Sequence, residues 1–262
     1  MRLSWSPRIQ IVRTSRRYSD PIRSRRHLRS HIVSERSLHS HVVLVAGGTG
    51  VLGSLIAEEL DRRGARLVIG GRNPDRLNSV TAKLSDAVSC HLDFLDVASV
   101  ERAIALTIER FGRLDGLVNA AGVVAFGPLE ELNGETLRDL LAVDLVGPLD
   151  LIRAALPHLD EGFVVNLPGV VAEQPVGNMA GYSAAKAGLS AASVALNREL
   201  RRRRITILDA RPPHTETGLA GRAISGTAPS FPEGLPPARV AHRIVEGIVA
   251  GERQLPAEAF QS

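Results

Sequence analysis

The chain has 262 residues, 44% hydrophobic and 23% charged, with one Cys, one Trp and two Tyr. A lone thiol, Cys90, excludes a disulfide scaffold and any Cys-rich zinc module, so no metal site is expected and a reducing, cytoplasmic setting is. The formal charge of +4 is unevenly spread: residues 1–41 hold ten Arg against Asp20 and Glu35, a net +8, and the rest of the chain stands at −4.

Residues 1–41 are rich in Arg, Ser and His and hold too few large apolar side chains to offset the entropy of ordering, so the segment is expected to be mostly disordered. Its composition fits an inert or mistranslated extension, an organellar targeting segment, or a phosphate-binding arm. With the basicity confined to this arm, no nucleic-acid partner is expected. A binder working through it would show affinity that collapses with salt. No uncharged apolar run reaches the ~18 residues a spanning helix needs, so no membrane partner is expected either.

From His41 the pattern changes. Val42-Val43-Leu44-Val45 is a continuous apolar run ending in glycines, followed by a helical run from Leu52 to Arg63 and a stop at Gly64. The alternation repeats: Leu67–Ile69 and a helix over Asp75–Leu84, Val88–Leu92 and Val97–Phe111, Leu114–Asn119 and Glu135–Leu156. It ends with Phe163–Leu167 and Tyr182–Arg202, then Ile205–Ala210 and Pro237–Ala250. Short, fully apolar strands separated by helices predict a mostly parallel sheet covered on both faces. The expected architecture is one doubly wound α/β domain over 42–262, with six or more strands and a ligand at their carboxyl ends.

Three stretches carry chemistry. Gly47-Gly48-Thr49-Gly50-Val51-Leu52-Gly53 lies between the first strand and first helix, where glycines at 47, 50 and 53 bring backbone N–H groups and a helix N-terminus onto a pyrophosphate. After the second strand, Gly70-Gly71-Arg72-Asn73 has no carboxylate to hold a ribose diol. Arg72 offers its guanidinium fork to a 2′-phosphate, which favours NADP(H) over NAD(H). Tyr182-Ser183-Ala184-Ala185-Lys186 spaces a phenol and an ammonium four apart, on one helix face. A cation ~4 Å away at an effective dielectric of ~20 contributes ~4 kcal/mol, which predicts a phenol pulled down toward the range of a general acid/base.

On these residues the chain resembles the short-chain dehydrogenase/reductase family over 42–262. Asn119-Ala120-Ala121-Gly122 is similar to its NAAG, Asp93 to its adenine-contacting Asp, Tyr182 and Lys186 to its YxxxK, and Pro212-Pro213-His214-Thr215-Glu216-Thr217 to its PGxxxT loop. The resemblance implies a Rossmann-type domain in which Tyr182 exchanges the proton and Lys186 lowers its pKa and holds the nicotinamide ribose. It implies cofactor contacts from Gly47, Thr49, Gly50, Leu52, Gly53, Arg72, Asp93, Asn119, Tyr182 and Lys186, with Thr215 and Thr217 near the nicotinamide. The implied partner is a small carbonyl or alcohol substrate.

The chain departs from the family pattern in four places. Gly169 stands thirteen residues before Tyr182, where the family places Ser, and Asp144 stands in the fourth helix where the family has a catalytic Asn. The glycine spacing after the first strand is that of atypical members, and no glycine-rich final strand is expected after Glu252-Arg253-Gln254-Leu255-Pro256. An acceptor-only carboxylate at 144 still suits a proton relay. His214 and Thr215 are candidate substitutes for the missing hydroxyl. Restoring it with Gly169→Ser is expected to raise turnover ~10–100-fold, the scale of one oxyanion donor, unless a positive φ at 169 resists a side chain.

The expected function is NADP(H)-dependent carbonyl/alcohol interconversion. The alternative is a nucleotide-binding relative that has lost chemistry and acts as a sensor or partner subunit. The uncharged run Ala187–Leu196 further predicts a homo-oligomer, since one helix face covers the sheet and the other lacks charge.

Overall fold

The computed structural model describes residues 36–261. Seven strands form one parallel sheet in the order β3-β2-β1-β4-β5-β6-β7. They are β1 Val42–Ala46, β2 Arg66–Gly71, β3 Ala87–His91, β4 Leu114–Asn119, β5 Leu159–Asn166, β6 Thr206–Ala210 and β7 Gln254–Leu255. The helices between them are α1 Val51–Arg62, α2 Pro74–Thr81, α3 Val97–Phe111, α4 Gly134–Leu141, α5 Gly147–Ala155, α6 Ala180–Glu199 and α7 Pro237–Ala250. Successive strand residues point to opposite faces, so Val43 and Val45 join Ile56, Leu60 and Ile244 in one core layer. Val42 and Leu44 join Ile104, Leu151 and Ile152 in the other. Strand order reverses between β1 and β4, which opens a crevice at the carboxyl edge.

Three features differ from the sequence-based expectation. The predicted helix 135–156 is interrupted by a π-turn over Ala142–Val146, which joins α4 to α5 and carries Asp144. A seventh strand, beyond the six read from the sequence and not glycine-rich, forms within residues 252–256: β7 pairs with β6, and the Asp209 and Arg211 N–H groups donate to the Arg253 and Leu255 carbonyls at 3.0 and 2.8 Å. Two residues are too few to show a period, and it is the burial of Leu255 in the core that fixes them. The expected boundary at 42 also moves. Residues 36–41 pack on the domain, with Leu38 buried, the Arg36 N–H donating to the Val249 carbonyl, and the Arg36 guanidinium over the Phe163 ring. The expectation of disorder for the rest of 1–41 lies outside the described residues.

Candidate active site

The carboxyl edge of the sheet opens into a cleft of about 820 Å³, within the usual size range of ligand sites. At one end, the β1–α1 loop turns through Gly47 at φ +74, where a Cβ would strike the Ala121 backbone. That close approach brings Gly50 to the N-cap of α1. It caps with no side chain, so the first-turn N–H groups, which a helix cannot satisfy itself, face the cleft with Thr49, Leu52 and Gly53. Such a terminus suits a pyrophosphate. Arg72 is exposed on the cleft rim at the end of β2, and Arg76, one turn into α2, joins it there. Asp93, after β3, lines the same end, one carboxylate oxygen accepting from the Leu95 N–H at 3.1 Å.

At the other end, Tyr182 and Lys186 project from the first turns of α6. The Lys186 ammonium lies 5.6 Å from the Tyr182 ring centroid, donates to the Leu167 carbonyl at 3.3 Å and pairs with Asp144 Oδ1 at 3.1 Å. Asp144 is fully buried. The π-turn carries it under Gly122, where the same oxygen accepts from the Val123 N–H at 3.2 Å and Oδ2 has no partner. Two of the three ammonium donors are thus engaged by protein acceptors, and the third is left for a ligand such as a ribose.

The electrostatics correct one expectation. Burial pushes the Tyr182 phenol up; Lys186 pulls it down, but Asp144 pushes it up again, and the phenol stands above its ordinary range. Burial likewise pushes the Asp144 carboxyl up, against the pull of Lys186. Burial disfavours the Lys186 ammonium too, yet Asp144 and Tyr182 outweigh it and hold its pKa above the usual lysine value. In this arrangement Tyr182 is a protonated phenol at neutral pH.

Asn119 is not brought to the cleft. Its amide donates to Asn166 Oδ1 at 2.8 Å, Asn166 donates to Ser193 Oγ at 2.9 Å, and the three tie β4, β5 and α6 together beneath the floor. Thr215 and Thr217 do line the cleft, but the Thr215 hydroxyl donates to the Pro213 carbonyl and Thr217 Oγ1 accepts from the Leu219 N–H. His214 lines it too, stacked on Phe231 with its Nε2 3.4 Å from Glu216 Oε1. The residues that sequence reasoning missed are Arg76, Phe126, Met179 and Phe231. Arg76 follows Arg72 by four residues, in the first turn of α2, and Phe126 and Phe231 are aromatics placed in Gly/Pro-rich loops. Those were the available signals.

Gly169 has φ +74 and ψ 170, a backbone region that is essentially glycine's alone. The nearest atom to an added Cβ is the Pro212 carbonyl oxygen at 3.8 Å, so the obstacle is the backbone and not space. The gain expected from Gly169→Ser is therefore withdrawn. Ser and Ala at 169 are expected to destabilise equally, by ~1–3 kcal/mol in urea denaturation, with no rise in turnover. A tenfold gain with Ser and not Ala would show that the hydroxyl reaches a reacting oxygen.

Residues 41–227 match the family model described as short chain dehydrogenase. The chain belongs to the short-chain dehydrogenase family. A 2,5-dichloro-2,5-cyclohexadiene-1,4-diol dehydrogenase of Sphingobium indicum is 34% identical over 155 residues, 56% of this chain and 62% of that one. The ipsdienol dehydrogenase of Ips pini is 29% identical over 200 residues, 70% and 78% of the two chains. Among solved structures, the alcohol dehydrogenase of the archaeon Thermococcus sibiricus, complexed with 5-hydroxy-NADP, superposes with a TM-score of 0.74 at 25% identity. That match covers 84% of this chain and 95% of that one. This short-chain dehydrogenase is thus a member of an oxidoreductase family whose fold is the seven-stranded parallel sheet described above. Among the described residues no helix is long and apolar enough to cross a membrane.

Proposed function

We propose that this short-chain dehydrogenase is an NADP(H)-dependent, cytoplasmic oxidoreductase that interconverts a carbonyl and an alcohol. The observation that carries the reading is the Tyr182–Lys186–Asp144 group at one end of a cleft whose other end has an uncapped helix N-terminus. NADPH supplies the hydride. Tyr182 gives the proton to the substrate oxygen, Lys186 holds the nicotinamide ribose through its remaining donor, and Asp144 fixes Lys186. Arg72, with Arg76 beside it, receives the 2′-phosphate, and a solved relative that carries an NADP analogue supports the choice. The relatives named as dehydrogenases of a cyclohexadiene diol and of ipsdienol support alcohol–carbonyl chemistry. A homo-oligomer is part of the proposal, because Ala184, Ala191 and Ala195 leave an uncharged exposed stripe on α6 and Val146 is 50% exposed nearby in sequence to α5.

The second reading, a nucleotide-binding protein without turnover, is favoured by Gly169, whose geometry leaves no hydroxyl at that position. One experiment separates them: NADPH and NADH consumption against a panel of ketones, in the wild type and in Arg72→Ala. Turnover with NADPH is expected, with Arg72→Ala raising KM for NADPH at least tenfold and KM for NADH less than twofold. Tight NADPH binding with no turnover on any ketone establishes the second reading. Equal losses for both cofactors remove Arg72 from the phosphate site.

A further inference from the structure

Charge is segregated along the cleft. Arg72 and Arg76, which make no ion pair among the described residues, line the nucleotide end. At the substrate end Lys186 is paired with Asp144 and Glu216 is held by the Gly234 N–H at 2.7 Å and by His214, while exposed Arg222 donates to the Thr217 carbonyl at 3.2 Å and makes no ion pair among the described residues. What lies next to Tyr182 is an apolar cluster of Val124, Phe126, Met179, Leu219, Ala220 and Phe231.

Besides Met179, the cluster draws on two segments that the backbone holds together. The Ile224 N–H donates to the Val124 carbonyl at 2.8 Å and the Phe126 N–H to the Ser225 carbonyl at 2.9 Å. At the other end of the same loop, the Leu235 N–H donates to the His214 carbonyl at 2.8 Å and the Glu216 N–H to the Leu235 carbonyl at 3.1 Å. So anchored, the loop sets Phe231 against the His214 ring at 4.9 Å and the Phe126 ring at 6.2 Å. A wall of this kind rewards burial of apolar surface and penalises an unpaired charge, since desolvating a carboxylate without a partner costs far more than any contact here returns.

We propose that the substrate is an uncharged, apolar carbonyl compound or its alcohol, seated against the Phe126–Phe231 wall with its oxygen at Tyr182, and that Phe231 is a specificity-determining residue. The proposal rests on the redox reading above and names its substrate class.

The test uses acetophenone and 4-acetylbenzoate, one skeleton with and without a carboxylate. Binding to the full chain saturated with NADPH is followed by cofactor fluorescence, and reduction by NADPH loss. Acetophenone is expected to bind and react at least 100-fold better in Kd and kcat/KM. Phe231→Ala is expected to weaken acetophenone at least fivefold while leaving the NADPH Kd unchanged. Equal or better use of 4-acetylbenzoate, or binding of neither ketone, overturns the proposal while leaving the redox reading to stand or fall on NADPH consumption. Selective binding of acetophenone without reduction upholds the chamber and removes the redox reading. Selectivity that survives Phe231→Ala intact removes the role of that ring.

Discussion

Replacing Lys186 with Met is expected to cost the fold about 3–5 kcal/mol at neutral pH, because the change leaves the Asp144 carboxylate buried without its counter-ion. Among the described residues the Val123 N–H remains as its sole donor, and Oδ2 has no partner. The penalty depends on pH with a definite sign. With the ammonium gone, burial alone sets the Asp144 pKa above its unfolded value. The folded state then binds the proton more tightly, and stability falls as pH rises from the unfolded pKa through the folded one. Urea denaturation is therefore expected to show a larger deficit at pH 8 than at pH 5. Asp144→Asn in the Lys186→Met background is expected to recover at least half of the loss, since the amide needs no counter-ion and its oxygen still accepts from Val123. A deficit below 1 kcal/mol that ignores pH and Asp144→Asn would mean that the pair is not coupled to folding.

Tyr182→Phe is expected to lower kcat for ketone reduction by ~10²–10⁴, the range a positioned general acid supplies, with stability and NADPH affinity nearly unchanged. The ring is retained, and with it the packing on the cluster of Val124, Phe126 and Met179, so only the hydroxyl is lost. The expected pH profile follows from the raised phenol. Reduction needs the protonated form, so the rate is flat through neutral pH and declines only on the alkaline side. Asp144 is one of the charges that push the phenol up, so Asp144→Asn is expected to move that decline to lower pH. Turnover that survives in Tyr182→Phe would take the proton transfer away from Tyr182, and an unmoved alkaline limb in Asp144→Asn would uncouple the two groups.

The resemblance puts Lys186 beside Tyr182 and implies a lowered phenol, but it is silent on a carboxylate at 144. In this chain burial raises the phenol most, and the Asp144 charge offsets part of the downward pull of Lys186.

Relations within one element were legible in the sequence. The alternation of apolar runs and helical stretches determined a parallel sheet, the glycines at 47, 50 and 53 marked the β1–α1 loop that lines the cleft, and the spacing of Tyr182 and Lys186 put both on one helix face, because strand and helix periods are local geometry. Relations between elements were decided only by packing. A π-turn rotates Asp144 under Gly122 and onto Lys186. Asn119 turns inward to Asn166 and Ser193, away from the cleft. Leu38 and Leu255 extend the ordered core beyond the periodic segments, and two loops far apart in sequence bring Phe126 and Phe231 together. The φ of Gly169, which decides whether a serine is tolerated there, is set by the loop's closure on the Pro212 carbonyl through the Val170 N–H and not by its neighbours in sequence. Such contacts depend on which surfaces meet once the sheet is assembled, and no spacing along the chain encodes that.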